Sequence, residues 1–444
     1  MINNKRILLL AVVLSLLALA AQAGAVPPGE LAYAYLNTQS GYLIAGQEVR
    51  FEVVLPEDIG HYTYEFTAYY AQDRAADNQF TGVDQLKAQP EPAYAFIPEQ
   101  PGQYFLEVVI MDADYRSLTL QSEPFYCYEP GSEDDPNTLP GKVVQIARQA
   151  EAQGFATQYE TALYLHDWLT HNADYDEPMT IHTPEGVLLW GKGVCESYAL
   201  AYQMLLRQVG IKSQYVTGYS RGQLHAWNLV HLDGEWTFID PTWNDPVGGG
   251  NEGYDYFGMT GSQLARDHDW SYGKQKPPAA TASTHNYLIN NGWQPFSSLE
   301  GMQELLAREL TAKNPHIKYT YTGEDRYMDV QYEIKKWLDN NAHIYFAESY
   351  SYGGSSYSGT LDVSYGDYAD YTFFTDDESF KAAIDGLLKA KTAQIKMYYQ
   401  GTDRYFDFGI TLRRFLTEHA EAYDISSYSY TYYPFHGVAE IAYK

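Results

Sequence analysis

From Leu31 to Tyr128 apolar and polar positions alternate: Val49, Phe51 and Val53 share one parity, as do Tyr64, Phe66 and Ala68, then Tyr104, Leu106, Val108 and Ile110, then Leu118 and Leu120. Successive strand side chains point to opposite faces, so this period of two predicts strands with one buried face. Pro56-Glu57 and Pro101-Gly102 supply turns between them. The run Glu129-Pro130-Gly131-Ser132-Glu133-Asp134-Asp135-Pro136 then breaks all periodicity and predicts a linker over residues 129–138. From Leu139 to Tyr272 helical spacing comes first and alternation after it. Beyond Cys195, for example, Tyr198, Tyr202, Leu205, Leu206 and Val209 fall on one helical face, and Gly210 suits the position that ends the helix. Lys274-Gln275-Lys276-Pro277-Pro278-Ala279-Ala280 marks a second expected linker, residues 273–295.

The remainder repeats itself. Gly323, Asp325, Arg326 and Tyr327 recur as Gly401, Asp403, Arg404 and Tyr405, a constant offset of 78 residues. The same offset carries Ile317 to Ile395, Leu338 to Leu416, Tyr350-Ser351-Tyr352 to Tyr428-Ser429-Tyr430, and Gly359 to Gly437. Two copies of one unit therefore occupy residues 296–367 and 374–444. Met302, Leu305, Leu306 and Leu310 have helical spacing whereas Leu361, Val363 and Tyr365 alternate, so each copy reads as helix, strand, helix and two strands. The expected chain is thus multidomain α+β. An immunoglobulin-like β-sandwich (31–128) is followed by a central α+β domain (139–272) and tandem α+β repeats (296–367 and 374–444).

Composition limits the partners. Lys+Arg 29 against Asp+Glu 57 gives a net charge of −28, which repels phosphate backbones and anionic lipid, so nucleic acid and polybasic membrane anchoring are not expected. Two cysteines exclude a disulfide scaffold and a four-thiolate zinc site. The chain has 43 tyrosines, and the tyrosine-rich strands of the repeats could present a stacking surface to glycans or peptides. Ordinary strand-forming tyrosines on a half-exposed sheet account for them as well. At the N-terminus Lys5 and Arg6 precede an apolar run from Ile7 to Ala21 that ends in Ala21-Gln22-Ala23. A charged start, a short apolar run and a small-x-small site predict a signal peptide over residues 1–23, leaving a secreted or cell-envelope protein with no membrane anchor.

Candidate chemistry lies between Gly191 and Pro246. Cys195 is placed at a helix start, where unpaired amides favour a thiolate. Asp233-Gly234 is a preferred pair for a two-residue hairpin turn, so Leu232 should face Glu235 and Trp227 should face Asp240. His225 then shares a face with Trp227 and becomes a diagonal neighbour of Asp240, within side-chain reach. A thiol at a helix start and a histidine oriented by a carboxylate make a cysteine nucleophile with its base and orienting group. A disulfide between Cys127 and Cys195 is the alternative for the thiol. Trp227, Trp236 and Trp243 are expected to pack behind the site. No metal is expected from Asp267-His268-Asp269 or from His166, Asp167 and His171, because His166 and His171 lack the helical i, i+4 spacing. Gly248-Gly249-Gly250 has no phosphate-loop context, and no cofactor is expected.

These residues resemble the transglutaminase-like superfamily, with its papain-like core, and in particular its exported bacterial members. The resemblance is carried by Gly193-Val194-Cys195-Glu196 with Tyr198-Ala199, by Gly210-Ile211, by His225-Ala226-Trp227-Asn228, and by Asp240-Pro241-Thr242-Trp243 with Asp245-Pro246. It covers roughly Leu139 to Tyr272, with Ser197 where many members have glycine. By resemblance, Cys195, His225 and Asp240 are the catalytic cysteine, histidine and aspartate. The family implies a thioester acyl-enzyme formed from a protein or peptide amide, extracellular or in the cell envelope, and resolved by water or by an amine. For the oxyanion, the Cys195 N–H is a natural donor and Trp190 a further candidate. The rival reading is a catalytically inactive transglutaminase-like scaffold that acts in surface binding or adhesion.

Overall fold

The computed structural model describes residues 26–57, 59–72, 80–245, 253–271 and 275–444. The expected signal peptide, residues 1–23, lies outside them, as do residues 246–252. The chain divides into two units, residues up to 287 and residues 288–444. Among the described residues no helix is long and apolar enough to cross a membrane.

The first unit begins with two sheets. Tyr35–Thr38, Val49–Val54 and Ala93–Phe96 form one. Leu43–Ile44, Phe125–Tyr128, Gly102–Met111, Thr63–Ala71 and Thr81–Gln89 form the other, with Ser117–Gln121 added to Gly102–Met111. The alternating residues fill the space between them: Phe51, Phe66, Leu106, Val108 and Ile110 are fully buried. The strands of these sheets pair antiparallel except at one place, where Leu43 pairs in parallel with Cys127. The strands that enter and leave the region there run side by side in the same direction, as only strands distant in sequence can.

Four helices follow: α1 (Leu139–Glu151), α2 (Gln158–Asn172), α3 (Pro184–Leu189) and α4 (Cys195–Gln208). They precede a sheet of β1 (Ser213–Ser220), β2 (Gln223–Leu232), β3 (Glu235–Ile239), β4 (Phe257–Met259) and β5 (His268–Ser271), in the order β4-β3-β2-β1-β5. Tyr198, Tyr202, Leu205 and Leu206 bury the expected face of α4. Gly210, at φ 77°, ends that helix, with Ile211 N–H bonded to Leu206 O and Gly210 N–H to Arg207 O.

Residues 129–138 are mostly exposed, yet they do not separate two independent bodies. Tyr42, Ile44 and Tyr126 from the sheets share one apolar core with Leu139, Val143 and Leu205. Residues 275–287, expected within a linker, are also packed on this unit. Ala34 and Lys276 form a β-bridge, Ala280 is buried, and the His285 carbonyl lies where a side chain on Gly258 would sit. Proline and alanine carry no polar side chain that requires water, so their presence did not exclude burial.

Arg207 of α4 joins the two parts. Its Nη2 is 2.8 Å from Glu123 Oε1 and donates to Ser213 O, and both charged side chains are nearly buried. Removing one member strands the other in a medium of low dielectric constant. Arg207→Ala is expected to lower the unfolding free energy by about 3–5 kcal/mol, read from urea denaturation.

In the second unit the elements Gln294–Phe296, Leu299–Thr311, His316–Tyr321, Val330–Asn341, Ala347–Gly354 and Ser358–Tyr365 recur as Thr372–Phe374, Asp377–Lys389, Gln394–Tyr399, Phe408–His419, Ile425–Tyr432 and His436–Tyr443. Each set opens with a three-residue strand paired in parallel to the next strand, absent from the sequence reading because three residues carry no period. Tyr350 and Tyr352, like Tyr428 and Tyr430, are half-buried and pack against the core of their own repeat.

Candidate active site

The two turns that bound β2 position its side chains. Asp233 and Gly234 both have positive φ, 48° and 101°, as a primed hairpin turn requires. Leu232 pairs with Glu235 and Asn228 with Ile239. Asp240 leaves β3 one residue later, and its Oδ2 accepts a 2.7 Å hydrogen bond from His225 Nε2. Oδ1 accepts from the backbone N–H groups of Thr242 and Trp243 at 3.1 and 3.2 Å. The carboxylate is fully buried.

Cys195 opens α4 against this pair. The preceding Val194 provides no side-chain cap for the first amides of the helix. Gly193 is required by packing: a β-carbon there would lie 2.5 Å from Ser197 Cβ. Ser197, buried, donates to Ile181 O at 2.7 Å, which satisfies its hydroxyl in the first turn of the helix. Cys195 and His225 line the same groove, and the thiol is close enough to help raise the His225 pKa. Because Nε2 is engaged with Asp240, Nδ1 is the ring nitrogen left for sulfur.

The electrostatics follow from burial opposed by charge. Burial alone would discharge His225, but the Asp240 carboxylate, its hydrogen bond and the neighbouring Cys195 outweigh it and push the imidazole up to about 10. Burial would likewise protonate Asp240, yet His225 and His268 hold it well below the carboxylate range.

His268 is the neighbour that sequence reasoning missed. It was considered only within a rejected metal cluster, whereas its Nε2 lies 3.2 Å from Asp240 Oδ2 and its Nδ1 2.7 Å from Asp267 Oδ1. The ring is buried and its pKa is raised: burial lowers it, and the hydrogen bonds to Asp240 and Asp267 more than compensate. Asp267 Oδ2 accepts from Tyr256 OH at 2.6 Å. His225, Asp240 and His268 place donor atoms within 4.8 Å of one another, close enough to suggest a metal. Both imidazoles direct Nε2 at the same carboxylate oxygen, and His268 is also bonded through Nδ1. The set is therefore joined by protons where a metal needs bare lone pairs.

His166 and His171 play no part. His166 is fully buried between Asp167 Oδ1 and Asn244 Nδ2, each at 3.0 Å, and His171 Nδ1 bonds the Asp167 carbonyl. Trp227 and Trp236 are buried, Trp227 on the His225 face of the sheet with its ring stacked 5.7 Å from the imidazole, while Trp243 is half-buried and lines the groove. Trp190, the sequence candidate for an oxyanion donor, is 64% exposed and does not line the groove. Tyr175 does line it. This tyrosine pairs with Gly193, two residues before the thiol, and burial followed by the charge of Cys195 raises its pKa, so its hydroxyl keeps a proton to donate. Cys127 and Cys195 are both free, which removes the disulfide alternative. Burial, with help from Glu129, pushes the Cys127 thiol up to about 12.

The groove beside Cys195 and His225 encloses about 940 Å³. Residues 145–241, which contain Cys195, His225 and Asp240, match the transglutaminase-like superfamily. The chain is similar to human kyphoscoliosis peptidase, 30% identical over 105 residues that make up 20% of this chain and 16% of that protein. The mouse protein of the same name is 31% identical over 94 residues, 17% of this chain and 14% of its own. The chain thus spans about a sixth of the length of these curated relatives. Among solved structures, red sea bream transglutaminase is similar at 13% identity with a TM-score of 0.20, over 49% of this chain and 54% of that one.

Proposed function

With residues 145–241 transglutaminase-like, we propose that this chain is an exported cysteine enzyme that cleaves or transfers peptide amide or isopeptide acyl groups through a thioester on Cys195. The row Cys195–His225–Asp240 carries the reading, with the thiol and the imidazole in one groove and the imidazole hydrogen-bonded to the carboxylate. Cys195 Sγ attacks the amide carbonyl, and the oxyanion accepts hydrogen bonds from the Cys195 N–H and the Tyr175 hydroxyl. His225, which holds the proton removed from the thiol, gives it to the departing amine, and the carbon–nitrogen bond breaks to leave a thioester. Neutral His225 then takes a proton from water or from an incoming amine as that nucleophile displaces the sulfur. Asp240 fixes the ring and stabilises its cation, and His268 fixes Asp240.

Export rests on the signal-like residues 1–23. An exported enzyme of this chemistry meets protein or peptide substrates outside the cell or in its envelope. The β-sandwich and the repeats would serve to position them. The test is acid-quenched mass spectrometry of the intact protein during turnover of a glutamine-containing peptide library. A covalent adduct on Cys195 that hydroxylamine removes is expected, with ammonia release or amine incorporation distinguishing the acceptors. Turnover that persists after Cys195 has been alkylated would refute the proposal.

A further inference from the structure

We propose that Arg221 makes this groove selective for substrates that carry a carboxylate close to the amide under attack. The inference rests on the thiol-enzyme reading for the amide itself, and adds the charge of the group beside it.

Arg221 and Gly222 form the two-residue turn between β1 and β2, where Ser220 pairs with Gln223. Both have positive φ, 49° and 81°. That turn favours Asn, Asp or Gly at its first position, because a β-carbon in left-handed backbone crowds the following carbonyl. A long cationic side chain in a strained conformation at the rim of a reactive groove is the kind of outlier that function retains. The strain has local support, since the Arg221 N–H donates to the Asp267 carbonyl at 3.1 Å.

The side chain is held without being neutralised by hydrogen bonds. Its guanidinium carbon lies 4.1 Å from the centroid of the Trp243 ring, a cation–π contact that covers one face. Nη2 stands 3.6 Å from Asp267 Oδ2, within ion-pair range but beyond a hydrogen bond. The Asp267 oxygens already accept from His268 Nδ1 and Tyr256 OH. The arginine remains 59% exposed. A planar guanidinium ordered on an aromatic ring, with its N–H edge open, is pre-shaped for bidentate carboxylate.

Its surroundings give the charge a purpose. Among the described residues that line the groove, Arg221 is the one lysine or arginine. The acids there have partners: Glu196 accepts from His182 Nδ1 at 3.1 Å, and Asp245 accepts from the Tyr198 hydroxyl. Trp243 also packs edge-on to His225, 5.7 Å between ring centroids. The guanidinium therefore lies within about 10 Å of the His225 imidazole, which lines the groove with Cys195. In a chain of net charge −28, which repels anions at long range, Arg221 places a positive charge beside the nucleophile.

The test compares alkylation of Cys195 by iodoacetate, which carries a carboxylate, and by iodoacetamide, which is isosteric and neutral. It is read by peptide mass spectrometry on the full chain at low salt. Two unit charges about 10 Å apart near a protein surface change the ratio of the two rates by roughly five- to tenfold. Arg221→Gln is expected to lower the iodoacetate-to-iodoacetamide ratio by that factor, Arg221→Lys to keep most of it, and 0.5 M salt to bring the unmutated protein toward the glutamine variant. Using a ratio cancels any general effect of the substitution on the thiol. An unchanged ratio in Arg221→Gln overturns the inference while leaving the thiol-enzyme reading in place. Slow reaction of the unmutated protein with both reagents below pH 7 overturns that reading, and the inference with it.

Discussion

Cys195→Ala is expected to lower amide turnover by at least about 10⁴-fold, to the level that substrate positioning and the oxyanion donors sustain without a nucleophile. The loss should appear in kcat and kcat/KM alike, because the covalent bond to sulfur is absent from the ground-state complex. Folding should barely register the change. Cys195 is only partly buried, sits at a helix start without capping it, and its removal leaves no buried charge beyond the existing His225–Asp240 pair. A shift of unfolding free energy within about 1 kcal/mol is expected, so ammonia release and urea denaturation on one preparation separate chemistry from stability.

Asp240→Ala is expected to damage both. The substitution deprives four donors of their acceptor: His225 Nε2, His268 Nε2, and the amides of Thr242 and Trp243. All are clustered around a fully buried position. Breaking a buried charged network by removing one member typically costs about 3–5 kcal/mol, and here His225 loses the anion that kept it charged while His268 loses an acceptor. The pH dependence has a definite sign. Asp240 is depressed from 3.8, so its contribution is present above that value and fades as pH falls toward its folded value. His225 is raised from 6.5 to about 10, so its contribution is complete below 6.5 and is lost as pH rises through about 10. The unmutated protein should therefore be most stable between roughly pH 4 and 6.5 as far as this pair decides. The variant should show a flatter profile in urea titrations from pH 4 to 10.

What was legible in the sequence is local. The Asp233-Gly234 turn determines a short hairpin, and a hairpin determines which residues are diagonal neighbours, so the approach of His225 to Asp240 follows from turn chemistry. The helical face after Cys195 and the alternation from Val49 to Leu120 were equally local, since each is a period in consecutive residues.

The missing pieces depend on contacts between distant segments. His268 reaches Asp240 because β5 pairs with β1, Ser220 opposite His268 and Gly218 opposite Trp270. No turn sets that register. Gly218 permits it, since a β-carbon there would lie 2.2 Å from the Asp269 carbonyl. Tyr175 enters through a two-residue parallel pairing with Lys192–Gly193, too short to leave a period. Thr81–Gln89 is an exposed edge strand, TGVDQLKAQ, with no buried face to impose alternation. The packing of residues 275–287 onto the first unit is similarly tertiary.

The central claim is that Cys195 is poised as a nucleophile by a histidine that keeps its proton. It is tested most directly by the rate of iodoacetamide alkylation from pH 4 to 11, followed at both cysteines by mass spectrometry, with His225→Ala alongside. Cys127, buried and raised to about 12, is the internal control. The account predicts that Cys195 reacts rapidly below pH 7, at a rate that stays level until His225 begins to lose its proton near pH 10, and that His225→Ala abolishes this low-pH reactivity. A Cys195 rate that climbs steadily through pH 8 to 9, unaltered in His225→Ala, would contradict it.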